Sequence, residues 1–336
     1  MRARLWSGAT IVMLAFTGAA SVQVRRADLN FSEPMQLDCG DVPDHGTQRR
    51  FVALCFYGIN RSLRHTIGSI RAQIFAPLQR ACVPWHLYMH TYSETTITSP
   101  HAGEFASRIG GSVEMIDLLR PFKSVVTSQA DADASIDMRV YTRRGYAYIN
   151  VTQLNLLRQL RSLQLVTALW LPDAERYGAI AYLRPDLMFA APLDVVAMMG
   201  ARDGEVYSPY WHMHLGSNDR FMFSRPPAAA VWGNRMLDAR EYTRHNKLVS
   251  ESFLAWVLAK HELQQRFTSM LAMRVRSSGE VHKLDACLAT HCRWADNRCR
   301  YGCHEHISKR ERKRVHKAQL AALDLLQAQG SAGVIK

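Results

Sequence analysis

The chain has 336 residues, of which 48% are apolar and 21% charged, and its 42 Lys or Arg against 29 Asp or Glu give a formal charge of +13. That balance excludes a disordered or fibrous chain and leaves room for one large domain with a sizeable core. Beyond the N-terminal segment no stretch is apolar enough to cross a bilayer as a helix.

Leu5 to Val24 carry no charge and lie between Arg2 and Arg4 on one side and Arg25 and Arg26 on the other. Residues 1–26 therefore read as a secretory segment. It is either a signal anchor long enough to cross a membrane or a signal peptide cleaved near the small residues Gly18 and Ala20. Residues 27–49 are polar and aperiodic, a stem or linker. The domain proper is expected over 50–270. Phe51 to Tyr57 is a strand candidate, Gly58 to Asn60 a turn, and Leu63, Ile67, Ile70, Ile74 and Leu78 recur at helical spacing. Trp85 to Tyr92 reads as a second strand, followed by a polar loop and a short strand candidate from Ser112 to Ile116. Residues 120–148 show no period and read as a long loop near the site.

Leu154, Leu157, Leu160, Leu163, Val166 and Leu169 form a helical stripe leading into the apolar run Ala179 to Leu183. That run stops at Arg184, Pro185 and Asp186. It reads as a buried strand that delivers one carboxylate to the crevice beyond a sheet edge, although an Asp after Pro can also simply order a turn. Glu205 to Tyr210 and Phe221 to Ser224 are strand candidates around the turn Gly216-Ser217-Asn218-Asp219, and Pro226 to Arg235 and Ser250 to Leu263 read as helices. Alternation of strands and helices predicts an α/β fold, an open and mostly parallel twisted sheet with helices on both faces.

Residues 271–336 form a Cys-rich basic appendage. Cys287, Cys292, Cys299 and Cys303 cluster there, and His291 to Lys317 hold nine Lys or Arg against three acids. In a secretory compartment the cluster reads as two disulfides rather than zinc ligands, with Cys55 a buried free thiol. The basic tail could meet anionic lipid, and a secretory address disfavours nucleic acid. Three sequons, at Asn30, Asn60 and Asn150, are compatible with a glycoprotein.

Several segments in order resemble the nucleotide-sugar glycosyltransferases of GT-A fold, in particular a group of transferases whose strand ends in Arg-x-Asp. They are Phe56-Tyr57-Gly58 with Arg61-Ser62, His90-Thr91-Tyr92, Arg158-Gln159 with Ser162-Leu163, Leu183-Arg184-Pro185-Asp186, Pro192-Leu193-Asp194, Asn218-Asp219-Arg220-Phe221 and Glu251-Ser252-Phe253-Leu254. The resemblance implies a GT-A-like domain that takes a nucleoside-diphosphate sugar donor and a glycan, lipid or protein acceptor. Tyr57, Gly58, Arg61, Arg184 and Asp186 would hold the donor. The diphosphate would be neutralised by a divalent cation, manganese or magnesium, on Asp186 with His245 as a late ligand, or by arginine. Similar families carry two acids at the strand end, whereas Arg184 takes the first place here, so Arg184 could face a phosphate or pair with Asp186. Asp219 and Glu251 are the candidates for taking the acceptor proton, and Glu251 also suits a helix start. The expected address is the lumen of the Golgi or endoplasmic reticulum on a membrane anchor, or outside the cell if the segment is cleaved. The alternative is a secreted or membrane-anchored binding protein of the same fold that has lost catalysis. Asp131-Ala132-Asp133 spells a two-acid motif but has no strand leading to it.

Overall fold

The computed structural model describes residues 24–25, 51–99, 103–141, 150–214, 216–282 and 285. The stem, the cysteine cluster, the basic tail and all of the N-terminal segment but Val24 and Arg25 fall outside the described residues. No helix among the described residues is long and apolar enough to cross a membrane.

The chain opens with β1 (Phe51–Tyr57), then α1 (Leu63–Ile70), which runs through a π-helical turn at Arg71–Phe75 into α2 (Ala76–Arg80). The expected stripe is the reason this stretch is helical. Leu63, Ile70, Ile74 and Leu78 are fully buried, each contributing roughly 1.5–3 kcal/mol of burial. Next come β2 (Trp85–Tyr92), a hairpin of β3 (Thr96–Ser99) and β4 (Glu104–Arg108), α3 (Gly111–Leu119), β5 (Lys123–Thr127), α4 (Gln129–Ala134) and α5 (Met138–Tyr141). The long helix α6 (Asn150–Trp170) and a 3-10 turn feed β6 (Tyr177–Leu183). They are followed by β7 (Leu187–Phe189), α7 (Val195–Met199), β8 (Glu205–Pro209), β9 (Phe221–Ser224), α8 (Pro226–Gly233), α9 (Met236–Thr243), α10 (Ser250–Lys260), β10 (Gln264–Thr268) and β11 (Ala272–Arg274).

The central sheet has the order β5-β2-β1-β6-β9-β8-β10, with Val24–Arg25 added antiparallel at the β5 edge. The four strands from β5 to β6 are parallel, β9 runs against both its neighbours, and β10 is parallel to β8. Strand alternation divides the core into two layers. Val52, Leu54 and Phe56 of β1 face one apolar cluster with α1 and α3, while Ala53, Cys55 and Tyr57 face another with α6, α8 and α10. The fold is therefore the expected α/β sheet with helices on both faces. Its strand order reverses between β1 and β6, and the crevice beyond the carboxyl ends of those two strands is where such sheets place ligands.

Four local expectations are corrected. Ser112 to Ile116 lies in a helix, because Met115 and Leu119, four residues apart, are the buried pair and a strand would have turned them with their neighbours. Residues 120–148 are not one loop, since β5 and two short helices occupy the described part. β5 offers only Val125 and Val126 as an apolar pair, too short a run to show a period. The domain also continues past 270: β11 pairs with β7, Val275 donates its N–H to the Asp186 carbonyl at 2.8 Å, and Asp285 is buried. Finally, the Asn60 sequon is closed. Asn60 is fully buried, its amide donating to the Gly111 carbonyl at 2.9 Å and its Oδ1 accepting from Leu63 N at 3.1 Å. Cys55 is a buried free thiol as expected, and Cys82 is disulfide-bonded.

Candidate functional site

Register explains why distant sequence fragments meet. Phe56 stands opposite Leu183 in the parallel β1–β6 pair, and Leu183 opposite Phe221 in the antiparallel β6–β9 pair. Consequently the chain leaving β1 at Gly58, the chain leaving β6 at Arg184 and the chain entering β9 from Asp219 and Arg220 share one end of the sheet. Tyr57 ties two of them by donating its hydroxyl to the Asp219 carbonyl at 2.8 Å. Gly58 adopts φ +98°, a conformation that favours glycine, and its N–H donates to Ser162 Oγ at 2.7 Å. The same hydroxyl lies 2.6 Å from His90 Nδ1, and the other ring nitrogen lies 3.0 Å from Thr127 Oγ1. Burial, aided by the nearby Arg161 charge, pushes His90 down to about 3, so the ring is neutral at ordinary pH.

Asp186 is buried and held from two sides. Arg184 donates to both its oxygens, Nε to Oδ1 at 2.9 Å and Nη2 to Oδ2 at 2.5 Å, and Arg61 Nη1 stands 3.8 Å from Oδ2. Burial alone would raise this carboxyl, but the Arg184 charge and hydrogen bonds outweigh it and keep Asp186 below the usual carboxylate range. This arrangement does not fit the expected divalent cation. A hard cation needs several converging oxygens, and here a guanidinium takes both oxygens of the single acid. Among the described residues no three His, Cys, Asp or Glu side chains converge in a way that could hold a metal. His245 is exposed on the turn that follows α9. Asp131 and Asp133 lie on α4, where Asp133 forms a forked ion pair with Arg158 at 2.5 and 2.7 Å.

Asp219 and Glu251 are brought together by Arg220, whose guanidinium is 3.4 Å from Asp219 Oδ1 and 3.3 Å from Glu251 Oε1. Asp219 Oδ2 also accepts from Ser250 Oγ at 2.5 Å and from Gln159 Nε2 at 3.1 Å. The two acids are driven apart electrostatically. For Asp219 the burial penalty is outweighed by Arg220 and Arg184, with Ser250 and Arg235 adding to them, and the carboxyl falls well below its usual range. For Glu251 burial is the largest influence and the Asp219 charge reinforces it, so its carboxyl is raised. Paired acids displaced in opposite directions commonly mark separate roles, and a carboxylate held so firmly ionised is a poor proton acceptor. Glu251 is the group suited to take a proton, and Asp219 the group suited to organise the arginines and a polar ligand.

The loop facing Glu251 is strained. His212 and His214 adopt φ +47° and +46°, a backbone region that residues other than glycine seldom occupy. His212 is buried with Nε2 2.8 Å from Asp285 Oδ1, while His214 Nε2 lies 3.8 Å from Glu251 Oε1. Gly216 abuts the Glu251 carbonyl so closely that a Cβ would lie 1.9 Å from that oxygen.

No family model matches the sequence. No curated protein matches it either. Among solved structures, the crystal structure of mouse xyloside xylosyltransferase 1 in its apo form is similar at 13% identity, covering 65% of this chain and 84% of that one with a TM-score of 0.30. Any assignment therefore rests on the site itself.

Sequence reasoning missed three members of this site, Ser250, Arg235 and Arg276, and gave a fourth, Gln159, no role. Ser250 and Gln159 are ordinary helix residues until the fold turns them onto Asp219. Arg235 is fully buried, with Nε and Nη2 lacking hydrogen-bond partners, and it acts electrostatically on Tyr57 and Asp219. Arg276 follows β11, a strand too short to be read from sequence. A signal did exist in the run Arg274-Val275-Arg276, two arginines on the same side of an extended segment.

Proposed function

We propose that the chain is a nucleotide-sugar-dependent glycosyltransferase of GT-A type, moving a sugar from a nucleoside diphosphate to the hydroxyl of a glycan, lipid or protein. The observation that carries this reading is the division of labour between Asp219 and Glu251 at the switch point of the sheet, among the fragments that resemble that family. Glu251 takes the acceptor proton while the acceptor oxygen forms its bond to the anomeric carbon. The bond from that carbon to the diphosphate oxygen breaks, and the nucleoside diphosphate leaves with the electron pair. Developing negative charge on the leaving group is met by guanidinium groups near Asp186, where preorganised positive charge is most effective. Residues 1–26 would deliver the domain to the lumen of the secretory pathway.

The test is a screen of uridine and guanosine diphosphate sugars for hydrolysis or transfer by the full chain. Turnover that Glu251→Gln abolishes without loss of fold is the expected result. A second reading, a binding protein of the same fold without catalysis, draws on the closure of Asp186 by Arg184. Tight binding of a sugar nucleotide with no turnover for any acceptor class would select it.

A further inference from the structure

The turn after β11 brings to the Asp186 crevice a cation that the residues discussed so far do not use. Arg276 N donates to the Glu280 carbonyl at 2.8 Å and Gly279 N to the Arg276 carbonyl at 2.9 Å, closing a tight turn. Gly279, at φ +88°, lets this turn approach the His65 ring of α1, where a Cβ would lie 3.0 Å from the ring. Arg276 is thereby set beside Arg61, Arg274, Glu104 and Asp186, whose charges it feels. Burial and the like charges of Arg61 and Arg274 push it down to about 10. Its neighbours have partners: Arg184 grips Asp186, and Arg274 grips Asp285 at 2.6 and 2.8 Å. Arg276 has no ion-pair partner among the described residues.

Glu104 occupies the space these cations share. Its carboxylate is only 5% exposed, Oε1 accepts from Ser277 N at 3.0 Å, and Oε2 is 3.4 Å from Arg61 Nε. Yet Oε2 and Arg61 Nε are both buried without a hydrogen-bond partner, so the carboxylate fills the position without satisfying it. It is delivered by a stretch in unusual backbone geometry, with Gly103 at φ +71° and Ala106 at φ +47°, and Phe105 between them is 68% exposed. Arg61 and Arg184 stand against the carboxylates of Glu104 and Asp186, and the half-buried Arg276 feels both acids without pairing with either. Once Glu104 leaves, two positive charges are uncompensated, which matches in magnitude the two ionised phosphates of a sugar nucleotide.

We propose that Arg61, Arg276 and the Ser277 amide form a guanidinium-lined diphosphate site, and that the Glu104 carboxylate holds it until a nucleoside diphosphate displaces it. This deepens the transferase reading and rests on it for the identity of the natural ligand, but not for the chemistry of the site. Arginine suits the task because its planar fork matches phosphate oxygens two at a time.

The experiment titrates the full chain with inorganic pyrophosphate and with uridine diphosphate in the presence of a chelator, by calorimetry. Wild type is expected to bind both. Arg276→Ala should weaken pyrophosphate binding by about tenfold or more, with Arg276→Lys between the two. Glu104→Gln should bind several-fold tighter because its competing charge is gone, and thermal melts confirm that each variant is folded. Unchanged affinity in Arg276→Ala, weaker binding in Glu104→Gln, or binding that appears only when manganese is added would each overturn the proposal, as would no pyrophosphate binding by folded wild type. Pyrophosphate binding with these variant effects, but without turnover of any sugar nucleotide, would leave the site standing and remove the transferase.

Discussion

Arg184 and Asp186, two residues apart, form a forked ion pair inside the crevice, with bonds of 2.9 and 2.5 Å and an acid side chain that is 5% exposed. The pair explains how a buried acid persists at the end of β6 without a second acid beside it. Removing either partner alone leaves an uncompensated buried charge, which costs about 3–5 kcal/mol, whereas replacing both with apolar residues costs much less. Arg184→Leu and Asp186→Leu are therefore each expected to lower the urea midpoint strongly, and the double variant to lower it by less than their sum. Additive losses in such a cycle would show that the two side chains do not act as a unit.

Glu251 and Asp219 give a sharper prediction because the Asp219 charge acts on the Glu251 carboxyl. Glu251→Gln should reduce kcat by about 10²–10⁴-fold with little change in melting temperature. In wild type the rising limb of kcat/KM should lie above the ordinary glutamate range, since burial and the Asp219 charge raise Glu251. Asp219→Asn removes that charge, so the limb should move to lower pH even as overall activity falls. The stability sign is opposite to that of a salt-bridged acid. Glu251 binds its proton more tightly folded than unfolded, so its contribution is present at low pH and is lost as pH rises through its raised value. A limb that stays in place in Asp219→Asn would remove the coupling.

How much of this could be read from residues depends on how far each signal reaches along the chain. β1, β2, α6 and β6 were legible because their apolar positions repeat over at least seven residues, and every residue of β6 is buried. Asp186, Asp219 and Glu251 were legible as acids at element boundaries. What sequence could not rank was Asp219 against Glu251, because their difference comes from Arg184, Arg220 and Arg235, which lie on three separate segments. The short strands β5, β10 and β11 carried too few residues to show a period, and with β11 went Arg276. The hairpin of β3 and β4 reads as a polar loop for a similar reason: its strands are four and five residues long, and the residue it buries most deeply, Glu104, is an acid.

Gly216 tests the geometry of the strained loop. Its position 1.9 Å from the Glu251 carbonyl, measured from an added Cβ, leaves no room for any side chain, and the obstacle is backbone that cannot swing away. Ser217 N also donates to that carbonyl at 3.0 Å, so displacing the loop would break a bond that fixes the start of α10. Gly216→Ala is expected to reduce kcat more than tenfold by moving Glu251, within the roughly 10²-fold that a 1 Å misplacement can cost. Wild-type turnover in the folded variant would show that the loop tolerates movement without disturbing the base.

His90 links acid stability to the first turn of the site. The neutral ring holds Ser162 Oγ on one nitrogen and Thr127 Oγ1 on the other, and Ser162 in turn accepts the Gly58 N–H. Its folded value of about 3 lies below the unperturbed 6.5, so the unfolded chain takes up a proton first as pH falls. Stability contributed by neutral His90 is thus complete above pH 6.5 and declines from there down to about pH 3. At pH 5 the loss from this residue is about 2 kcal/mol. His212, pushed by burial to about 4, adds a loss of the same sign between 6.5 and that value. The measurement is the urea midpoint at pH 7 and at pH 5 for wild type and His90→Gln. Wild type should lose stability over this interval, and the variant, less stable at pH 7, should lose distinctly less. An equal fall in both would show that His90 does not carry the acid sensitivity and that its link to Gly58 is only structural.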